Sequence, residues 1–257
     1  MCPVQSGLAD QHRVDDAILV ARRIAHMYSN VLTSILGFVE MSLAQAPVNS
    51  TLKRYLDVAL RGTQQGVSLT QRLRLLGSRT SSGAQGVSLL PVIARQAGRR
   101  ANPEQEIREI IDVPGDLPLV ALSNEQVTAI LEALLDNAYE AADNKGSVSV
   151  SATLVTLGTN DLPELLGHAA PGIFVQLDVT DSGPGLTPEV RARLFQDLFF
   201  TSKPRHFGLG LTIVYSILKG QEGGLRLLDA PGGGLTVRVF LPVAERSGGN
   251  DDRSTQT

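Results

Sequence analysis

The chain has a single cysteine, Cys2, so no disulfide forms within it and no cysteine cage for a metal is expected. It also has no excess of basic charge. Lysine and arginine total 23 against 26 aspartate and glutamate, a formal net charge of -3, and the basic residues are scattered. No broad cationic face for nucleic acid is therefore expected. Long apolar runs are missing too. Residues 173–179 are among the most apolar, yet far shorter than the roughly 20 residues a membrane-spanning helix needs. Residues 1–11 lack the basic start and apolar run of a secretory signal. These absences predict a cytoplasmic protein with neither membrane nor nucleic acid among its partners.

What is present suits a folded protein. Apolar residues make up 42% of the 257, enough for a buried core in one large or two modest domains. Residues 14–44 have helical period. Ala17, Ile24, Val31 and Phe38 recur every seven residues, and Ala21, Tyr28 and Ile35 follow four behind. Val20, Met27 and Met41 widen this stripe, which predicts an amphipathic helix of about eight turns. The proline of Ala46-Pro47-Val48-Asn49-Ser50 ends it. A second stripe follows through Leu52, Tyr55, Leu56, Ala59, Gly62, Gly66, Leu69, Leu73 and Leu76. Two long helices joined by a short loop predict an antiparallel hairpin. Neither stripe can be buried by the other helix alone, so a homodimer with a four-helix bundle is expected.

Residues 78–86 are small and polar and mark a linker. Helix and strand patterns alternate beyond it. Residues 89–101 and 124–142 read as helices, and 147–155, 173–180, 224–228 and 235–241 as strands. Residues 157–172 read as a long loop, and 246–257 as a disordered polar tail. No internal repeat is visible. The expected domains are 1–77, a helical hairpin, and 87–245.

Three signals carry chemistry. Asp181-Ser182-Gly183-Pro184-Gly185-Leu186 directly follows an alternating strand. A carboxylate there can accept a hydrogen bond from an exocyclic amine, and the glycines let backbone approach a flat ring. By itself it is equally a tight turn with an Asp cap. Asn137 sits in an alanine-rich helix and offers a neutral oxygen to Mg²⁺. By itself it is more readily a buried amide satisfied by a neighbouring loop. Gly208-Leu209-Gly210-Leu211 opens an apolar helix behind Phe199-Phe200-Thr201-Ser202-Lys203-Pro204. Amides at a helix start cradle phosphate, and Lys203 adds a point charge. Alone, Gly-x-Gly is weak evidence.

Order makes the set specific. Asn137, then Asp181-x-Gly183-x-Gly185, Phe199-Phe200-x-x-Lys203, Gly208-x-Gly210-Leu211 and Gly232-Gly233-Gly234 resemble the ATP-binding domain of histidine kinases, in the superfamily shared with DNA gyrase, Hsp90-type chaperones and mismatch-repair ATPases. The resemblance implies an α+β chain: a helical hairpin forming a dimeric four-helix bundle, then an α/β sandwich with a mixed, mainly antiparallel sheet. It implies that ATP and Mg²⁺ are bound, with Asn137 on the metal and Asp181 on the adenine amine. Gly183 and Gly185 would shape the adenine pocket. Lys203, Gly208, Leu209, Gly210 and Leu211 would serve the phosphates beneath a lid.

Arg23-Ile24-Ala25-His26-Met27-Tyr28-Ser29-Asn30 resembles the phosphoacceptor box of the same family. It implies catalytic roles for His26, the phosphorylated residue, and Asn30. Helical geometry turns His26 about 200° from Ile24, away from the apolar stripe. The resemblance further implies autophosphorylation from ATP and transfer to a response-regulator aspartate. About a dozen residues precede the first expected helix, so input is expected from a separate sensor protein, or the chain is one piece of a larger system.

Three features depart from the pattern. Met27 stands where the family has an acidic base after the histidine, and losing a general base costs ~10²–10⁴ in rate. Ala133 replaces an Asn or catalytic Glu four residues before Asn137. Arg205-His206-Phe207 replaces a glycine-bearing lid end. They keep an alternative open: a kinase-impaired phosphotransfer or docking module that accepts phosphate from a receiver domain.

Overall fold

A computed structural model describes residues 4–75, 86–98, 106–143, 145–193 and 209–244. The linker expected at 78–86, apart from Gly86, and the tail expected at 246–257 lie outside these residues.

Helix α1 runs Val4–Gln45, ten residues earlier than its apolar period suggests. Asn49 adopts the left-handed conformation (φ 64°) in the turn that follows. The Ser50 hydroxyl then accepts from the Lys53 N–H at 3.1 Å and opens α2, Thr51–Arg74. The two helices pack together. A Cβ at Gly66 would lie 3.1 Å from a Leu32 methyl, so the helices approach closely there. Among the described residues, the less exposed apolar side chains of α1 include Ala25, Leu32, Leu36, Val39 and Leu43; the less exposed residues of α2 include Leu56, Leu60, Thr63, Val67 and Thr70. Thr63 and Thr70 donate to their own helix, to the carbonyls of Ala59 and Val67, which satisfies their buried hydroxyls.

The stripe read from the sequence lies beside this seam, not in it. Ile24, Tyr28, Val31, Ile35 and Phe38 are 43–71% exposed. The seam uses Ala25, Leu32 and Val39, one residue on and about 100° around the helix. The helix therefore has two apolar faces, and α2 covers one. On α2, Leu52, Tyr55 and Val58 are also exposed.

The remaining elements form an α+β unit. In chain order they are α3 Leu89–Gly98, β1 Arg108–Asp112, α4 Asn124–Ala141, β2 Ser147–Leu157, β3 Leu166–Gly167, β4 Gly172–Asp181, α5 Pro188–Arg193, α6 Leu209–Gly220, β5 Gly224–Asp229 and β6 Leu235–Pro242. The sheet order is β1-β2-β4-β6-β5-β3. Only β1 and β2 pair in parallel, so the sheet is mixed and mainly antiparallel.

Period-2 alternation sets the two faces of the sheet. Val148 and Val150 of β2, Val175, Leu177 and Val179 of β4, and Val239 of β6 join the core with Leu131, Leu134 and Leu135 of α4 and Ile213 and Ile217 of α6. Leu73, in the last turn of α2, and Leu75, just after it, pack against the same core. The opposite face is polar. There the Arg238 guanidinium donates to both Asp178 oxygens, at 2.9 and 2.7 Å, which holds the arginine pKa above its ordinary value. At one end of that face Leu157, Phe174 and Phe240 make a small second cluster beneath Leu165 and Ala169. The segment expected as a plain loop thus holds a 3₁₀ turn, Leu162–Glu164, and β3, and it covers this cluster.

Helix α4 starts at a capping box. Ser123 Oγ accepts from the Gln126 N–H at 3.2 Å, and Gln126 Oε1 accepts from the Ser123 N–H at 3.0 Å. Tyr139 on α4 donates to Glu109 Oε1 at 2.7 Å and ties the helix to β1.

Candidate functional site

Asp181 is the last residue of β4 and continues the inward set of Val175, Leu177 and Val179, so it lies on the helix side of the sheet, 7% exposed. Its Oδ1 accepts from the N–H of Gly183 at 2.8 Å and of Leu235 at 3.3 Å. Two backbone donors therefore fix the carboxylate. The loop leaving Asp181 rests on the end of α4: a Cβ at Gly183 would lie 2.7 Å from the Ala141 carbonyl oxygen. Gly185 has φ 71°, which a side chain rarely allows, and its Cα faces the Gly234 carbonyl.

The turn between β5 and β6 closes the other side. Ala230 N–H donates to Gly234 O at 3.2 Å and Gly233 N–H to Ala230 O at 3.1 Å. A Cβ on Gly234 would collide with the Asp181 carbonyl oxygen.

Asn137 lies one turn before Ala141 on α4 and is half-buried. A Cβ built on Gly210 would be 3.3 Å from Asn137 Nδ2 and 3.5 Å from Oδ1. The amide thus faces the first turn of α6, which Leu209 opens. Leu211 packs against the main core. The structure therefore gathers Asn137 with Gly210, Asp181 with Gly183, and Gly185 with Gly234. Lys203 and Gly208 lie outside the described residues. Ala133 is buried in the core, with no polar atom to offer the site. Glu189, early in α5, has its carboxyl held below the ordinary value by a hydrogen bond to its own backbone, then by the Thr187 hydroxyl.

His26 and Asn30 are both exposed on α1. Met27 is 63% exposed and lies outside the seam with α2. Nearby, Thr33 and Ser34 donate back to the carbonyls of Ser29 and Asn30.

Two contributors have little or no signal in the sequence. Ser182 accepts from the Ser147 N–H at 2.8 Å and donates its own N–H to the Ser147 carbonyl at 3.1 Å, extending the β2–β4 pairing under the loop. No local pattern announces it. Gly234 is marked only by the length of the glycine run that it ends.

Comparisons with known proteins bear on the domain and its fold. Residues 123–245 match the family described as histidine kinase-, DNA gyrase B-, and HSP90-like ATPase. Sensor histidine kinase ZraS of Escherichia coli (strain K12) is 26% identical over 231 residues, 87% of this chain and 45% of that protein. The chain is a relative of the two-component histidine kinases. The sensory histidine kinase/phosphatase NtrB of Rhodobacter capsulatus is 27% identical over 236 residues, 90% of this chain and 63% of that protein. The chain thus spans about half the length of the curated relatives it matches. Among solved structures, the mycobacterial sensor histidine kinase MprB aligns with TM-score 0.50 at 26% identity, over 62% of this chain and 97% of that one. Full-length ShkA in complex with AMPPNP aligns with TM-score 0.64 over 88% of this chain and 46% of that one; at 20% identity it speaks to the fold alone. Among the described residues, no helix of this kinase relative is long and apolar enough to cross a membrane. No three His, Cys, Asp or Glu side chains among them are grouped to hold a metal ion.

Proposed function

We propose that this histidine kinase relative transfers the γ-phosphoryl group of ATP to His26 and then to an aspartate of a response-regulator receiver domain. The observation that carries the reading is the placement of the Asn137 amide against Gly210 at the start of α6, on the same helix end that backs the Asp181 loop. One surface then offers a carboxylate for the adenine amine and, at the start of α6, backbone amides for phosphate. Asn137 would hold Mg²⁺, which supplies charge neutralisation at the phosphates. A single amide oxygen suits an ion that keeps its waters and shares phosphate oxygens. Lys203, Gly208, Leu209, Gly210 and Leu211 complete the phosphate side in this reading.

In the first step an imidazole nitrogen of His26 attacks the γ-phosphorus. The bond to the ADP oxygen breaks, and the imidazole loses a proton. Positioning and charge neutralisation carry most of the barrier reduction. The exposure of His26 suits both this attack and the later visit of a receiver domain. Asn30, one turn on, lies on the same side of α1.

We read α1 and α2 as a hairpin within residues 1–77 that dimerises through the exposed stripe Ile24, Tyr28, Val31, Ile35 and Phe38. Residues 87–245 form the catalytic domain in this reading.

Met27 favours a second reading, a kinase-impaired module that receives phosphate from a receiver domain. No carboxylate follows His26, and Met27 faces solvent. Incubation with γ-labelled ATP and Mg²⁺ separates the two. Acid-labile label that disappears in His26→Gln supports the kinase. No label from ATP, with label from a phosphorylated receiver, supports the module.

A further inference from the structure

Helix α5 begins three residues after Gly185. Thr187 holds its start: the Arg191 N–H donates to the Thr187 carbonyl at 2.9 Å, and the Val190 N–H to its hydroxyl at 3.4 Å. From this helix the Arg191 side chain reaches β5, 38 residues further along the chain. Its Nη2 pairs with Asp229 Oδ1, and its Nη1 donates to the Leu227 carbonyl at 3.0 Å. Strand β3 pairs only with Gly224 and Leu225 of β5, so the guanidinium occupies a stretch of edge that no described strand covers.

Asp229 is the last residue of β5 and faces Leu235 across the final rung of the β5–β6 ladder. The Leu235 N–H is one of the two donors that fix Asp181 Oδ1. Between Asp229 and Leu235 run Gly232, Gly233 and Gly234, with φ of 88°, 101° and 95°. Three such glycines give the turn little preference of its own beyond the Ala230–Gly234 and Gly233–Ala230 bonds, so a hold on its base from α5 adds to its order.

We infer that Arg191 is a positioning residue for adenine recognition. By holding Asp229 it fixes the Asp229–Leu235 rung, and Leu235 in turn fixes the Asp181 carboxylate that meets the base. Arg191 touches no nucleotide in this account. Its guanidinium fork suits this role, because one nitrogen takes the carboxylate while another takes the Leu227 carbonyl, whereas a lysine would have to reach both acceptors from a single nitrogen. The inference rests on the reading that Asp181 accepts the adenine amine.

The test compares the full chain's affinity for ATP with its affinity for purine riboside triphosphate, which lacks the exocyclic amine. The native protein should favour ATP. Arg191→Ala should narrow that preference by about 3- to 10-fold, since an exposed ion pair is weak and the bond to the Leu227 carbonyl adds to it. Arg191→Lys should fall between. A merely structural loss would weaken both ligands alike and leave the ratio unchanged. Should Arg191→Ala fail to fold, Asp229→Asn, which keeps an oxygen in place without the charge, carries the same comparison. A folded variant with the native ratio overturns the role of Arg191 and leaves the reading of Asp181 standing. A native protein that binds both triphosphates equally overturns both.

Discussion

Asp181 is held by two backbone N–H groups on one oxygen. Asp181→Asn retains an oxygen for Gly183 and Leu235 but places an amide donor toward the adenine amine. We expect an ATP affinity lower by ~1.5–3 kcal/mol. Calorimetry that finds equal affinities would contradict the assignment. Gly210 allows a second test at this scale. An added Cβ would press on the Asn137 amide from 3.3 Å, a displacement rather than a collision. Gly210→Ala should weaken ATP binding about 10-fold in Mg²⁺ and hardly at all in a chelator, since disturbing a metal ligand's surroundings acts through the metal. Equal losses in both buffers would count against Asn137 as the ligand. These residues were legible because short motifs display their chemistry. The Ser147–Ser182 and Arg191–Asp229 pairs were not, because their partners stand 35 and 38 residues apart and only the fold brings them together.

At the scale of elements, strong periodicity was readable and weak periodicity was not. Strands β2, β4, β5 and β6 alternate or run apolar against a buried layer. Strand β1, Arg108-Glu109-Ile110-Ile111-Asp112, is an edge strand with four of its five residues exposed, so burial imposed no alternation to read. The stripe on α1 was visible, but which of its two apolar faces meets α2 was not, since both are apolar at helical spacing. Helix α4 starts at Asn124, where its sequence pattern begins, behind the capping box Ser123-x-x-Gln126. Ser123→Ala should cost about 1 kcal/mol and shift the urea midpoint without changing the slope. A midpoint equal to the native one would show the cap to be energetically idle. The exposed face of α1 gives a prediction for assembly. Glutamates at Ile24 and Val31 leave the Ala25–Leu32–Val39 seam intact but charge the outer stripe. The double variant should stay helical and scatter light as a monomer where the native chain scatters as a dimer. A native monomer, or a variant that remains dimeric, would remove the bundle.

For the molecule as a whole, the question is whether a histidine without an adjacent carboxylate is phosphorylated by the ATP site. His26 is exposed on one helical segment, while Asn137 and Asp181 belong to the α+β unit, so the reaction requires the two to meet. Such a kinase should label slowly and only at His26. The label should be lost in acid, because protonating the phosphoramidate nitrogen makes it a good leaving group, and should be absent in His26→Gln. Met27→Glu then isolates the missing base. Met27 is 63% exposed, so a glutamate there reaches water and should leave the fold intact. It returns a proton acceptor beside the imidazole and should raise the labelling rate about 10-fold or more, at unchanged ATP affinity. Rate and affinity must be measured together, because a rise in both would point to the nucleotide site instead of the proton. If Met27→Glu folds, binds ATP and still takes up no label, the absent carboxylate is not what limits transfer. Phosphate would then have to reach His26 from a receiver domain, and the ATP site would serve some purpose other than labelling it.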